Sequence, residues 1–384
     1  MEKDEFGLAP IKEKRKVFLL YPYYWPLYKA GGPVQSLYNL VEFFKEEVDF
    51  YCVSLTIDID GSRPVQLLNS NVWCKGQHNE NIYYTSRSST VLLLKLIRTI
   101  RPDVLLITGL FNYNFVLPGI IAGKLFGIKI IISPRGMLQS WGLKKNLLVK
   151  KIFLLGLRFL VNKNESWHAT DLQEKSDIQK HFGVNQVTHI ASNIPRKLGL
   201  PVMFKFPSSL EKIKLVFLSL INSNKNLHLA IDEVMKANGR YSLDIYGPIV
   251  NIEYWLLCCK KMEGCSWINY KGAVNPWQVP EILQLYHFFI LPTQGENFGH
   301  AIFDALSSGV PVIISDKTPW QKIDSNNAGF YIDLSNPDSL QEILITISRL
   351  SVEQYDKYRE QSWKYAANFI MSKNFKKEYK FLIK

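Results

Sequence analysis

Residues 288–320, FFILPTQGENFGHAIFDALSSGVPVIISDKTPW, constrain the fold more than any other part of the chain. The stretch opens on an apolar run, Phe288 to Leu291, of the kind that forms a strand buried on both faces, and Pro292 breaks it. Residues 300–308 place Ile302, Phe303 and Leu306 on one stripe and read as a helix. Gly309 suits the left-handed position that closes a helix, and Pro311 leads into a second buried strand, Val312 to Ser315. Strand, turn, helix and strand in this order make one unit of an open α/β sheet, whose carboxyl-end loops face the crevice where such sheets take ligands.

The turn carries the chemistry. Backbone N–H groups around Asn297, Phe298 and Gly299, at the positive end of a helix beginning near His300, form a place for an anion such as a diphosphate. Glu296 stands just before that end, where a carboxylate can accept from sugar hydroxyls, and Asp304 is a second carboxylate two turns on. A diphosphate between two polyol-binding carboxylates outlines a nucleotide sugar. The plainer alternative is a packing helix whose dipole Glu296 compensates.

The pattern Glu296, seven residues, Asp304 and then Gly309-Val310-Pro311-Val312 resembles the signature of the retaining glycosyltransferases of family 4, which have the two-domain GT-B fold. The resemblance implies that Glu296 contacts the donor sugar and that Asp304, one methylene shorter than the family's glutamate, contacts the ribose. It also implies a glycine-rich first loop, here Gly31 and Gly32 before Pro33, under the donor phosphates. Lys225 occupies the family's diphosphate-binding lysine position, whereas the companion arginine position holds Leu220. Gly247 and residues 271–274, ending at Val274, fall where relatives hold the base through main-chain groups. Ser133-Pro134-Arg135-Gly136-Met137 and Asn193 match further family segments. They put Arg135 on the acceptor side, either facing an anionic acceptor group or bracing its loop. Thr108 stands where many relatives carry a histidine near the acceptor, so no base is assigned there. His300 is expected to border the sugar pocket.

Alternating strands and helices across both halves argue for an α/β protein of two Rossmann-like doubly wound parallel-sheet domains facing a central cleft. The expected division is a disordered tail (1–15), an acceptor domain (16–193), a linker (194–210) containing Pro195, Pro201 and Pro207, a nucleotide-sugar domain (211–352), and helices crossing back to the first domain (353–384). Residues 57–81 read as a polar insertion.

Charge adds a partner class. There are 46 Lys+Arg against 34 Asp+Glu, a net charge of +12, which suits anionic substrates, an anionic membrane surface or nucleic acid. No nucleic-acid module accompanies it, so nucleic acid is not expected. Lys144 to Lys163 holds six basic and no acidic residues among Leu, Ile, Phe and Val. It reads either as a basic amphipathic helix on an anionic membrane or as a packed helix with a solvated basic face. No run of about 18 apolar residues exists, and the N-terminus is no signal peptide. Five cysteines without metal-ligand spacing read as free thiols. The expected setting is cytoplasmic, with peripheral contact at the inner face of the membrane.

The resemblance implies transfer of a hexose-type sugar from a UDP- or GDP-linked donor to a glycan or polyprenyl-diphosphate-linked acceptor, as in capsule, O-antigen or exopolysaccharide synthesis. Anomeric configuration would be retained, with no metal and no cofactor. Lys225 and Glu296 are the expected catalytic pair. A non-catalytic GT-B subunit and a sugar-nucleotide epimerase or phosphorylase on the same fold are the alternatives.

Overall fold

The computed structural model describes residues 13–64, 70–143, 146–161, 165–199 and 212–383. The first domain is built on β1 (Arg15–Leu20), β2 (Val48–Leu55), β3 (Trp73–Lys75), β4 (Asn81–Thr85), β5 (Val104–Thr108), β6 (Lys129–Ser133), β7 (Ser166–Ala169) and β8 (Val187–Ile190). They form one sheet in the order β3-β4-β2-β1-β5-β6-β7-β8. The second domain holds β9 (Ile213–Leu218), β10 (Tyr241–Tyr246), β11 (Ile268–Gly272), β12 (Phe288–Leu291), β13 (Val312–Ser315) and β14 (Gly329–Ile332), ordered β11-β10-β9-β12-β13-β14.

Central strands are almost wholly apolar because helices cover both faces. β5, β12 and β13 are buried at every residue. The two faces of the first sheet carry separate apolar clusters, and one larger cluster fills the second domain. In each sheet the chain reverses its direction of travel beside the first strand, between β1 and β5 and between β9 and β12. Crevices open at such switch points, beyond the carboxyl ends of the strands. The loops that leave β9 and β12 there are those that carry Lys225 and Glu296.

Three expectations need correcting. The polar insertion contains β3 and runs into β4, which lies inside the sheet against β2. Asn-Ile-Tyr-Tyr-Thr buries Ile82 and Tyr84 with polar or half-exposed neighbours between them, a pattern short enough to pass for a loop. Its neighbour β3 is antiparallel and packs Trp73 edge-on against Phe18, Tyr51 and Tyr83, so the first sheet is not wholly parallel. The expected tail falls mostly outside the described residues, yet Arg15 already opens β1. Of the expected linker, residues 200–210 lie outside the described residues, and 194–199 form neither helix nor strand.

The helix Val352–Met371, opened by a Ser351/Gln354 capping box, lies on the second domain, where Tyr355 donates to the His287 carbonyl at 2.9 Å and Ser362 to that of Ala328 at 3.1 Å. The chain then leaves for the first domain. There Phe375, Tyr379, Phe381 and Leu382 are buried in its core, and the Tyr379 hydroxyl donates to the Ser192 carbonyl at 3.1 Å.

Candidate active site

Two loops of the second domain are stitched together at the switch point. Gln294 N–H donates to the Asn224 carbonyl at 2.7 Å, and the Asn226 amide donates to the Pro292 carbonyl at 2.8 Å. Asn226 takes a left-handed φ of 51°, which turns the short helix Ser223–Lys225 into the helix Leu227–Lys236. Lys225 is thereby held beside Glu296, its Nζ donating to Oε1 at 2.5 Å. Gly299 adopts φ 78°, and a Cβ there would meet Ile302 Cδ1 at 2.8 Å, so the sharp entry into the helix His300–Ser307 favours glycine. Trp320 pins the turn by donating to the Phe298 carbonyl at 2.5 Å. Among the described residues, the backbone N–H groups of Asn297, Phe298 and Gly299 donate to no carbonyl. Together with the helix end they are free to meet an anion.

The first domain closes on this turn. Asn297 donates to Thr170 Oγ1 at 2.8 Å and accepts from the Asn193 amide at 3.1 Å. Ser36, on the helix Gly32–Phe44, hydrogen-bonds His300 Nε2 at 2.8 Å. A Cβ on Gly31, at φ 78°, would lie 3.3 Å from the Leu220 side chain, so this glycine loop rests on Leu220 itself. Arg196 also crosses the gap. Its Nη2 donates to the Pro276 carbonyl at 2.6 Å, and its Nε stands 3.7 Å from Asp304 Oδ1. Trp277 meets Trp25 and Tyr38 edge-on, with ring centroids 5.3 and 5.2 Å apart.

Burial sets the protonation states. His300 is driven down to about 3, first by burial and then by the positive charges of Arg135 and Arg196, so its imidazole is neutral at physiological pH. Burial raises the Asp304 carboxyl, and Arg196 partly offsets that rise. A carboxylate thus burdened gains from any partner that replaces lost water.

The structure brings Gly32, Lys225, Glu296, Asn297, Phe298, Gly299, His300 and Asp304 to one crevice. Gly247 lies at the end of β10, joined to Gly272 by an N–H···O bond of 2.9 Å, and Val274 follows β11 on the same edge. Arg135, at φ 56°, is buried and donates to Asn193, the bracing arrangement rather than an open acceptor contact. Thr108 is fully buried at the end of β5 and presents no hydroxyl to solvent. Ser36, Thr170, Arg196 and Trp277 were not legible in the sequence. They reach the site from other elements through closure, and no local pattern marks them.

Two further surfaces lie on the first domain. The loops after β1 and β5 enclose an open cavity of about 260 Å³ lined by Tyr23, Phe111 and Tyr113 with Ser88, Asn112 and Asn114. Beside it runs the helix Leu147–Leu160, whose Phe153 ring lies 4.5 Å from Tyr113. That helix buries Leu154 and Leu157 but exposes Leu148, Ile152, Leu155 and Phe159 by 58 to 79%. The exposed four share one face at helical spacing, with Lys151 and Arg158 beside them. Lys144, Lys145 and Lys163 of the same basic run lie outside the described residues. Among the described residues no helix is long and apolar enough to cross a membrane.

Residues 202–366 match the sequence family described as glycosyl transferases group 1. Over this region, somewhat under half of its length, the chain is similar to that family, and its two-sheet architecture is the GT-B fold of the solved structures it resembles. It is 24% identical over 196 residues to a Streptococcus agalactiae UDP-N-acetylglucosamine–peptide N-acetylglucosaminyltransferase GtfA subunit, covering 45% of this chain and 38% of that protein. Over 75 residues it is 32% identical to the Escherichia coli O-antigen chain mannosyltransferase B, covering 20% and 19% of the two chains. The chain thus spans about two fifths or less of these curated relatives. Among solved structures it is similar to Anabaena HepE in complex with UDP-glucose, at TM-score 0.71 and 13% identity over 96% of this chain and 99% of that one. A mutant of S. aureus TarM in complex with fondaparinux, alpha-GlcNAc-glycerol and UDP gives TM-score 0.69 at 12% identity, over 96% and 99%.

Proposed function

We propose that this protein is a retaining glycosyltransferase that moves a hexose-type sugar from a UDP- or GDP-linked donor to a glycan or lipid-linked saccharide in surface polysaccharide synthesis. The observation that carries the reading is the Lys225–Glu296 pair at the switch point, beside unspent N–H groups at the start of the helix His300–Ser307. The donor's diphosphate would lie against those N–H groups and Lys225. Glu296, released from Lys225 by the incoming phosphate, would accept from sugar hydroxyls, and Asp304 from the ribose. The acceptor hydroxyl attacks the anomeric carbon on the face the diphosphate leaves. The departing bond's electron pair passes to a phosphate oxygen, which also takes the acceptor's proton. Lys225 and the N–H groups stabilise the charge that develops there, without a metal ion. The closed crevice keeps water from the donor.

The aromatic cavity beside β1 and β5 suits the apolar faces of acceptor sugar rings, with its amides and Ser88 for their hydroxyls. The exposed face of the helix Leu147–Leu160 suits the interface of an anionic membrane, with Lys151 and Arg158 at headgroup level. Both features support an acceptor presented on a lipid carrier and a peripheral, cytoplasmic-face location.

Calorimetry with UDP, GDP and ADP on the wild type, Lys225→Ala and Glu296→Ala tests the donor site. One nucleotide should bind well and lose at least tenfold with Lys225→Ala, while Glu296→Ala leaves the bare nucleotide within about threefold. Absence of binding to all three would overturn the reading. With the matching donor sugars, turnover should persist in a chelator.

A further inference from the structure

We propose that Arg196 is a donor-positioning residue, supplied by the first domain, that grips the donor's diphosphate when the crevice is closed. The inference rests on the transferase reading above and adds to it a residue and a role. Arg196 lies on the segment leaving β8, which the first domain holds in place. Ile194 is buried, its carbonyl accepting from the Asn39 amide at 2.9 Å. The side chain nevertheless spends its contacts on the second domain, at the Pro276 carbonyl (2.6 Å) and beside Asp304 (3.7 Å). Its Nε is buried and makes no hydrogen bond among the described residues. A buried guanidinium N–H without an acceptor is costly, and a ligand oxygen would relieve it.

The position is right for an anion. Asp304 lies four residues into the helix that His300 opens, about 6 Å along its axis. Arg196 also acts electrostatically on His300, which places its charge within reach of the helix start. A nucleoside diphosphate brings at least two negative charges to that point. Lys225 faces them already shared with Glu296, and Arg135 is committed to Asn193. The planar fork of Arg196 can hold two phosphate oxygens at once, while Asp304 beside it remains an acceptor for ribose hydroxyls. Because the arginine belongs to the first domain, this grip would also couple donor binding to closure.

The competing role is a latch, in which Arg196 merely occupies Asp304 until the ribose displaces it. The two differ in sign. Binding of UDP or GDP, whichever the wild type takes, is compared with binding of its nucleoside for the full chain, Arg196→Ala, Arg196→Lys and Asp304→Asn. Thermal melting accompanies each to establish folding. A phosphate grip predicts that Arg196→Ala weakens the diphosphate ten- to a hundredfold, leaves the nucleoside within threefold, and flattens the salt dependence. Arg196→Lys should recover part of the loss, and Asp304→Asn should weaken both ligands alike. Equal diphosphate affinity in wild type and Arg196→Ala, or tighter binding of both ligands by the variant, overturns the role while leaving the donor site standing. A wild type that binds neither UDP nor GDP overturns both.

Discussion

Glu296 and Lys225 hold one another in this structure, and that contact explains how two opposite charges persist in a closed crevice. Each carries only a small exposed fraction, so removing either leaves the other with a desolvated charge. Glu296→Ala should therefore lower transfer by a factor of 100 or more, through loss of sugar orientation. A donor turnover assay reads this, and near-normal turnover would refute the assigned role. His300 yields a stability prediction. Its folded pKa of about 3 lies below the ordinary value of 6.5, as do those of buried His168 (about 3) and His287 (about 4). Between pH 6.5 and 4 the unfolded chain binds protons that the folded one refuses, so stability is full above 6.5 and falls as pH drops through this window. Asp304 and Glu174, raised by burial, run the other way and soften the loss. His300→Gln retains a partner for Ser36 and should flatten the slope by about one proton, or about 1.4 kcal/mol per pH unit. Urea unfolding at pH 7, 6 and 5 checks it; an unchanged slope would remove His300 from the account.

At the scale of elements, the helix Leu147–Leu160 has two apolar faces, and among the described residues only one of them is packed. Phe153, Leu154 and Leu157 pack inward, and Lys150 folds back to the Gly142 carbonyl at 2.6 Å over the Phe111 ring. Leu148, Ile152 and Phe159 face solvent at 76, 72 and 79% exposure. Replacing these three by serine should leave unfolding free energy within about 0.5 kcal/mol per site, since they face solvent among the described residues. The same change should abolish co-flotation with anionic vesicles at low salt. Wild-type protein that stays off such vesicles, or a variant that floats equally well, removes the membrane role of this helix.

At the scale of the molecule, the two domains are joined twice, by the segment after β8 and by the C-terminal segment. After Ser372 the chain enters the first domain and buries Phe375, Tyr379, Phe381 and Leu382 there. At roughly 1.5–3 kcal/mol for each large side chain, as an upper estimate, their loss rivals the whole stability of a domain. Truncation after Ser372 should leave a first domain that is protease-sensitive at 25 °C while the second retains its nucleotide site. Limited proteolysis with and without UDP or GDP distinguishes the two, and a resistant first domain would show that this segment only decorates it.

The local sequence determined the parts that repeat a local rule. Apolar runs bounded by proline and glycine marked β12 and β13, and the Gly-Glu-Asn-Phe-Gly turn marked the entry into the helix His300–Ser307, because strand burial and helix entry depend on residues a few places apart. Glu296 was legible for the same reason, standing just before a helix start, whereas Lys225 was marked only by the family resemblance. Other features were decided only by the tertiary structure. β4 became an inner strand through its neighbours, since five residues of mixed polarity carry too little periodicity to announce one. Arg135 became a brace because Asn193 stands opposite it, 58 residues away. Arg196 met Asp304 and Ser36 met His300 because two domains closed on each other. Contacts across that distance in the chain leave no pattern in it, for they depend on where the whole molecule brings its surfaces together.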